Sequence, residues 1–227
     1  MAGIVVHQDK IPDLSAVAAL CPFGAIEVND GSVLINAGCK MCRLCVKNGP
    51  PGAFELVKER RVAIDKDRWN GIAVYLDQTD GEIHPVSLEL LGKARELAGK
   101  VGHPVIALLA GAEMGKAVAE MRHYGIDKLY LYEHPLLEHF RIEPYAAVFE
   151  DFIKRCQPAV ALVGGTAIGR SLAPRVAARF RTGLTADCTF LDIQENTDLD
   201  QIRPAFGGNI MAHIRTPHNR PQFATVR

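Results

Sequence analysis

The sequence predicts an α/β protein with a small α+β domain over residues 1–66 and a larger three-layer α/β domain over residues 70–227. Three observations support this division. From Gly71 onward, apolar strand-like segments alternate with helical ones, which is typical of a mostly parallel sheet covered by helices on both faces. Before Trp69, short strand-like segments instead surround closely spaced cysteines. A length of 227 residues is enough for two ordinary domains.

The first 66 residues are predicted to form a small twofold β-α-β unit. Asn29, Asp30 and Gly31 predict a hairpin turn, because these residue types tolerate positive φ. The charged segment from Lys58 to Arg68 is predicted to be a solvated strand and linker. The other predicted elements are a helix at Leu14 to Leu20 and strands at Ile4 to Val6, Ala25 to Val28, Ser32 to Ile35, Ala53 to Leu56 and Arg61 to Ile64.

Cysteine spacing predicts a metal centre in this unit. Cys39, Cys42 and Cys45 follow one another at three-residue steps, and C-x2-C-x2-C spacing is typical of three ligands of one iron–sulfur cube. The fourth position of this run is Gly49, so a ligand is missing. Cys21 is predicted to supply it, because the sequence LCPFGAI around Cys21 matches GPPGAF after Asn48. The four cysteines are therefore predicted to bind one [4Fe-4S] cluster.

The other half of the repeat has lost its ligands. Counting back from Cys21 by the same spacing reaches Val17, Leu14 and Ile11, which are all aliphatic. The unit therefore resembles a bacterial two-cluster ferredoxin in which hydrophobic packing has replaced one cube. A structural zinc site, as part of an interaction domain, is the alternative, since four cysteines also suit tetrahedral zinc. A tight triplet with a remote Cys-Pro fits the usual paired zinc knuckles poorly.

The larger domain is predicted to contain four strands, at Ile72 to Leu76, Val105 to Ala110, Lys128 to Tyr132 and Ala159 to Val163. Three helices are predicted at Pro85 to Ala98, Lys116 to Tyr124 and Tyr145 to Cys156. In such sheets, ligands bind at the carboxyl ends of the strands. The Gly164-Gly165 loop and the helix start after it are therefore a candidate anion site, with an ordinary tight turn as the alternative.

Composition restricts the possible partners and locations. The chain has 26 basic and 26 acidic residues, so its formal net charge of zero gives no reason to expect nucleic acid. No signal peptide is evident, and no apolar run approaches the roughly 18 residues of a membrane span. Six cysteines in such a chain suggest metal binding in a reducing compartment. A soluble cytoplasmic protein without a membrane partner is expected.

Few other residues suggest chemistry. Cys156 and Cys188 have no neighbouring ligand at metal-binding spacing and are interpreted as small buried hydrophobic residues. His134 and His139 are interpreted as surface residues, because Pro135 interrupts any helix that would align them. No Ser–His–Asp, Walker or paired-carboxylate arrangement stands out, so no catalytic residue is predicted.

Four motifs carry a resemblance that covers residues 71–227. They are RSLAPR at Arg170 to Arg175, TGLTADCT at Thr182 to Thr189, RPAFGGNIM at Arg203 to Met211 and RPQFATVR at Arg220 to Arg227. In this order they strongly resemble the electron-transferring flavoprotein alpha subunit, domain I. The added ferredoxin-like unit is similar to the variant found in flavin-bifurcating caffeyl-CoA reductase and lactate dehydrogenase complexes. Alpha subunits continue into a second, flavin-carrying domain, whereas this sequence stops at Arg227.

The resemblance implies an electron-transfer subunit of a bifurcating heterodimer. A beta subunit would hold FAD at the subunit interface, and a second FAD would lie on the missing C-terminal domain. The implied partners are NADH, ferredoxin and an acyl-CoA or hydroxy-acid dehydrogenase, with the caffeyl-CoA reductase type as the first expectation. A non-bifurcating carrier, or a nucleotide-binding enzyme with a ferredoxin-like redox sensor, is the alternative.

The resemblance also suggests flavin contacts. Arg170 is the best candidate to approach the isoalloxazine of the interface FAD, where a guanidinium would stabilise a reduced, anionic flavin. The remaining candidates at this interface are Arg175, Thr182, Gly183, Leu184, Thr185, Asp187, Gly207, Gly208 and Asn209. Surface ion pairing is the alternative role for the arginines, and ordinary turn stabilisation is the alternative for the loops.

Overall fold

The structure, a computed structural model, describes residues 3–57 and 64–227 and divides the chain into two compact units, residues 1–62 and 63–227. Each unit has a hydrophobic core of its own. Residues 58–63 of the predicted linker lie outside the described residues. The rest of that segment includes a single 3-10 turn at Lys66–Arg68.

The N-terminal unit consists of two small antiparallel sheets and two short helices. In chain order its elements are β1 (Gly3–Val6), α1 (Leu14–Ala18), β2 (Ile26–Asn29), β3 (Ser32–Ile35), α2 (Leu44–Asn48) and β4 (Phe54–Val57). Strands β2 and β3 form the predicted hairpin, with Asp30 and Gly31 at positive φ. Strand β4, the first strand of the predicted second hairpin, pairs with β1. Its expected partner residues 61–63 lie outside the described residues, and Ile64 is not in a strand.

The positions that lack cysteines in the first repeat are packed in the core of this unit. Val17 is buried, and Leu14 and Ile11 pack against it as partly buried side chains. Gly49, the empty position of the second repeat, has no room for a side chain, because a Cβ there would overlap the carbonyl oxygen of Cys45 and the Phe54 ring. The structure therefore agrees with hydrophobic packing in place of a second cube.

The larger unit contains strands β5 to β15 and helices α3 to α6. In chain order these are β5 (Ile72–Leu76), β6 (Gln78–Thr79), β7 (Glu82–Ile83), α3 (Pro85–Val101), β8 (Val105–Gly111), α4 (Gly115–Met121), β9 (Lys128–Glu133), α5 (Ile142–Cys156), β10 (Val160–Gly164), α6 (Ala167–Arg179), β11 (Leu184–Cys188), β12 (Phe190–Ile193), β13 (Leu199–Ala205), β14 (Ile210–Ile214) and β15 (Gln222–Val226).

Six of these strands form one parallel sheet in the order β11-β15-β10-β5-β8-β9. Alternate residues of β5 face opposite sides: Val74 packs in a core with α3 and α4, whereas Tyr75 packs in a second core with α5 and α6. Successive side chains of a strand point to opposite faces of the sheet. A strand in a sheet that is covered on both faces therefore needs apolar residues at every position. The predicted three-layer α/β fold with a mostly parallel sheet is confirmed.

Some elements differ from the prediction. The helix expected at Lys116 to Tyr124 ends at Met121, three residues early. The hairpin of β6 and β7 and the antiparallel sheet β12-β13-β14 were not predicted. Strand β15 was not predicted either, although it lies in the interior of the main sheet between β10 and β11. In the part of the chain that the structure describes, no helix has the length and apolar character needed to cross a bilayer.

Candidate functional site

The four predicted cluster ligands line one small cavity of the N-terminal unit. Cys21, Cys39, Cys42 and Cys45 all contribute to its wall. Cys45 is buried on α2, and Cys42 is exposed to solvent. Within residues 3–57 and 64–227, no three His, Cys, Asp or Glu side chains are grouped as ligands of one metal ion. The thiols thus share a cavity without being drawn together around a single centre.

The backbone around these cysteines is compatible with thiolate ligands. Met41 and Arg43 adopt left-handed conformations, with φ of 54° and 65°, which curl the chain between successive cysteines. Backbone N–H groups point at two of the sulfurs: Ala25 donates to Cys21 Sγ at 3.3 Å, and Met41 donates to Cys39 Sγ at 3.4 Å. Hydrogen bonds to sulfur stabilise its anionic form and tune cluster potentials. The residues present therefore fit an iron–sulfur cluster.

Burial raises the pKa of the Cys45 thiol, and the neighbouring Cys39 and Cys42 raise it further. Thiolate is the form that binds metal. Loading of this site must therefore displace a proton from Cys45, so metal binding is expected to weaken as the pH falls.

The carboxyl ends of β5 and β10 meet where the strand order reverses, which is the usual ligand position in such sheets. Here this position is filled by the chain itself. The Thr166 hydroxyl donates to the carboxylate of Asp77, which is only 3% exposed, and Thr166 Oγ1 accepts the Gly169 N–H at 2.9 Å. The Gly165 N–H donates to the Val226 carbonyl at 2.7 Å.

The anion site predicted at the Gly164-Gly165 loop is therefore not supported. The Gly165 and Gly169 N–H groups already have acceptors within the chain, and the nearby Asp77 carboxylate would repel an anion. The alternative, a tight turn that brings α6 close to the sheet, matches the observed geometry.

Gly169 makes that close approach possible, which gives a stability prediction. A Cβ at Gly169 would overlap the Gly164 carbonyl oxygen and lie 2.9 Å from Val163 Cγ1. We expect Gly169→Ala to destabilise the larger unit by about 1–3 kcal/mol.

Gly92→Ala is the matched control, because Gly92 lies inside α3 with open space around its Cα, and alanine there should stabilise by about 0.5–1 kcal/mol. Urea unfolding followed by fluorescence of Trp69 measures both, since this single tryptophan packs against both cores of the larger unit. Equal effects of the two substitutions would contradict the packing argument.

Arg170 lies at the carboxyl edge of the sheet in a three-residue charge cluster. Asp187 Oδ1 lies 3.1 Å from Arg170 Nη2, and Asp187 Oδ2 lies 3.4 Å from Arg227 Nη2. Asp187, the second-last residue of strand β11, has a left-handed conformation with φ of 56°. Two guanidinium groups and one carboxylate leave a formal charge of +1 (2 − 1). The Arg170 side chain is 50% exposed, so its guanidinium is available to a ligand or partner at this edge.

Arg175 lies elsewhere. Its guanidinium pairs with Glu143 of α5, and Arg179 pairs with Glu143 and Glu150. This ion-pair cluster connects the exposed parts of α5 and α6. The structure therefore favours the alternative role of Arg175, which is surface ion pairing. Arg175 and Arg170 make separate ion pairs.

The segment Thr182 to Asp187 is mostly an edge strand, which corrects the expectation of loop contacts. The Thr182 hydroxyl donates to the Pro221 carbonyl at 2.8 Å, and Gly183 packs against Thr216 at the amino end of β11. Leu184 and Thr185 lie within the strand. Thr182 precedes the amino end of β11 and Asp187 lies near its carboxyl end, so these two positions are at opposite ends of the strand.

Gly207, Gly208 and Asn209 lie at the turn between β13 and β14. The two glycines have φ of 70° and 92°, and the Asn209 side-chain amide donates to the Phe206 carbonyl at 3.2 Å. The alternative of turn stabilisation accounts for all three residues. Phe206 beside them is 81% exposed.

The remaining side chains agree with the sequence interpretation. Cys188 is fully buried and Cys156 is partly buried. Burial raises the pKa of Cys188 to about 11 and that of Cys156 to about 12, which makes both thiols unreactive at neutral pH. His134 and His139 are exposed.

A cavity of about 850 Å³ at the carboxyl ends of β8 and β9 was not predicted. Its charged lining residues are Asp80, Glu113, Lys116, Glu133 and Glu138. They come from separate segments and form no motif, so only the fold brings them together. The excess of carboxylates disfavours a phosphate ligand here.

Comparison with known proteins identifies the larger unit. A family model described as "Electron transfer flavoprotein domain" matches residues 72–227, from the first residue of β5 to the last residue of the chain. The chain belongs to the electron transfer flavoprotein family. This confirms the resemblance inferred from the four motifs.

Three relatives place this electron transfer flavoprotein chain more closely. Subunit LctC of lactate dehydrogenase (NAD(+),ferredoxin) from Acetobacterium woodii is 55% identical over 229 residues, covering 100% of this chain and 55% of the relative. Electron transfer flavoprotein subunit alpha of Clostridium acetobutylicum is 47% identical over 165 residues, covering 72% of the chain and 49% of the relative. Acryloyl-CoA reductase electron transfer subunit beta of Anaerotignum propionicum is 37% identical over 186 residues, covering 72% and 51%.

The electron transfer flavoprotein chain spans about half the length of these relatives. Of the three, LctC also matches the unit that carries the cysteine cavity.

Proposed function

We propose that this chain is the electron-transfer subunit of a flavin-based, electron-bifurcating heterodimer that links NADH, ferredoxin and a partner dehydrogenase. The observation that carries the proposal is the set of four cysteines that line one cavity in a unit matched along its whole length by LctC. The family membership of the larger unit supports the flavin side of the proposal.

Cys21, Cys39, Cys42 and Cys45 would hold one [4Fe-4S] cluster, which supplies one-electron exchange at the N-terminal unit. An electron-transferring flavoprotein beta subunit would hold FAD at the subunit interface, where it exchanges electron pairs with NADH. A second FAD is proposed on a domain beyond Arg227. Arg170 would face the interface flavin, with Asp187 orienting its guanidinium.

The partner dehydrogenase is proposed to act on a hydroxy acid. The 55% identity to LctC, whose name is that of a lactate dehydrogenase subunit, favours this class over an acyl-CoA reductase of the caffeyl-CoA type. The rival proposal of a nucleotide-binding enzyme loses support, because the glycine loop is closed by its own chain. A cytoplasmic location stays a prediction from the cysteine content.

The flavin side of the proposal predicts an effect of Arg170→Ala. In the complex with the beta subunit, loss of this cation should make the reduction potential of the interface FAD about 50 mV more negative, because a reduced, anionic flavin loses a nearby positive charge. Spectroelectrochemical titration of the complex measures the shift. Arg179→Ala is the matched control on the same helix, since Arg179 is engaged with Glu143 and Glu150. Equal potentials in all three proteins would remove Arg170 from the flavin site.

A further inference from the structure

The cysteine cavity opens onto a surface that is both apolar and basic. Phe23 and Leu44 line it with 52% and 37% of their surface exposed, and Lys40 and Arg43 line it as exposed cations. Cys42, the exposed ligand candidate, lies among them. We call these five residues, Phe23, Lys40, Cys42, Arg43 and Leu44, the cysteine rim.

Charge is segregated around the rim. Among residues 3–57, no acidic side chain lines this cavity. The acidic residues of the described part of this unit are Asp9, Asp13, Glu27, Asp30 and Glu55. Among the described residues, neither Lys40 nor Arg43 makes an ion pair, whereas Glu55, for example, contacts His7 at 3.1 Å. Within the described residues, the rim therefore carries two cations without an acidic partner, beside exposed hydrophobic surface.

We propose that the cysteine rim is the docking surface for a small acidic electron-carrier protein. Protein surfaces that exchange electrons form small contacts in which an apolar centre excludes water while complementary charges steer the approach. The rim has both parts, and its two exposed cations favour an acidic partner. This inference rests on the proposed function, because Cys42, the exposed one of the four cysteines that would hold the cluster, lies within the rim.

The test measures binding as well as metal content. The full-length heterodimer is titrated with a purified, oxidised acidic ferredoxin at about 50 mM and about 500 mM salt, and the Kd is determined calorimetrically. Lys40→Glu/Arg43→Glu should weaken binding by about tenfold or more at low salt, and the difference should shrink at high salt, where surface charges are screened. Phe23→Ser should weaken binding at both salt concentrations, since apolar contacts are not screened in this way.

Matched controls separate the rim from net charge and surface polarity. Lys10→Glu/Lys47→Glu makes the same charge change at exposed positions of this unit that do not line the cavity, and Leu34→Gln removes an equally exposed apolar side chain outside it. Both should leave the Kd within about twofold of the parent. Iron is counted in every variant, so that loss of the cluster is recognised separately from loss of docking.

Two results would overturn the inference. One is a full iron content with a Kd that responds equally to rim and control substitutions. The other is binding that is independent of salt and of all these variants, which would place the contact with the carrier outside the rim. Binding that depends on the rim in a protein without iron would support docking while rejecting the proposed cluster.

Discussion

Cys42→Ala is expected to remove most of the bound iron and the broad absorption near ~400 nm that a [4Fe-4S] cluster gives. The side chain is exposed, so its truncation does not disturb the small core formed by Val17, Ile26 and Phe54. A change in metal content would therefore report loss of a ligand and not loss of folding. The measurement is iron and acid-labile sulfide per chain, with the visible spectrum, after anaerobic purification.

Cys156→Ala is the control for this substitution. Cys156 lies on α5 of the larger unit, and its thiol donates to the Phe152 carbonyl within the helix. It should keep about four iron atoms per chain. If Cys42→Ala retained iron at the level of Cys156→Ala, Cys42 would not be a ligand, and the assignment of all four cysteines would need revision.

Arg220→Met is expected to destabilise the larger unit by about 3 kcal/mol. The Arg220 guanidinium is almost fully buried, and its Nη2 lies 2.9 Å from Asp198 Oδ1, which also accepts from Lys66 at 2.8 Å. Removing Arg220 leaves the buried Asp198 carboxylate with the partly exposed Lys66 as its one cationic partner among the described residues, beside a hydrogen bond of 3.1 Å from the Asn196 amide. Breaking a buried ion pair from one side costs far more than the pair contributes overall.

Arg215→Met is the matched control. Arg215 makes two hydrogen bonds of 2.7 Å to Asp200, but its side chain is about half exposed, so its loss should cost no more than about 1 kcal/mol. Urea unfolding followed by Trp69 fluorescence compares the two variants. Similar costs for both would mean that burial does not strengthen the Arg220 pair.

The same ion pair gives a pH dependence. Burial by itself raises the pKa of Asp198, but the hydrogen bonds and charges of Lys66 and Arg220 outweigh it and hold the pKa below the ordinary value of 3.8. A carboxyl with a lowered pKa in the folded state contributes stability above its unfolded pKa and loses it as the pH falls. The parent protein should therefore lose stability below about pH 4. In Arg220→Met the loss of stability below about pH 4 should be smaller, because the ionised Asp198 carboxylate has already lost the stabilising charge of Arg220.

The sequence predicted the elements whose pattern is local. The strands Ile72–Leu76 and Val105–Gly111 are continuous apolar runs, and α3 has regular helical spacing, so their periodicity was sufficient. Strand β15 escaped prediction because its position between β10 and β11 is set by contacts distant in sequence. The β12-β13-β14 sheet escaped because polar residues such as Asp192 and Asp200 interrupt its apolar pattern.

For the candidate site, the spacing of the cysteines predicted which thiols lie together, whereas sequence motifs did not predict which side chains the arginines contact. The cysteine repeat brought together Cys21 and the Cys39 to Cys45 triplet, and the structure places all four around one cavity. For the arginines, closeness in sequence did not predict shared contacts. Arg170 and Arg175 occur in one motif, but five helical positions rotate them about 140° apart, so they make separate ion pairs. The hydrogen-bond partner of the Gly165 N–H is the carbonyl of Val226, 61 positions further along the chain (226 − 165), which no local motif reveals.

The most direct test of the proposed function is the cofactor content of the native complex. The full-length protein is isolated anaerobically with its partners, and iron, sulfide, zinc and FAD are counted per heterodimer. We predict about four iron and about four sulfide for each chain, with FAD present and no stoichiometric zinc. Zinc without iron at the cysteines, or a complex that lacks flavin, would contradict the assignment of this chain to an electron-transfer pathway through a cluster and a flavin.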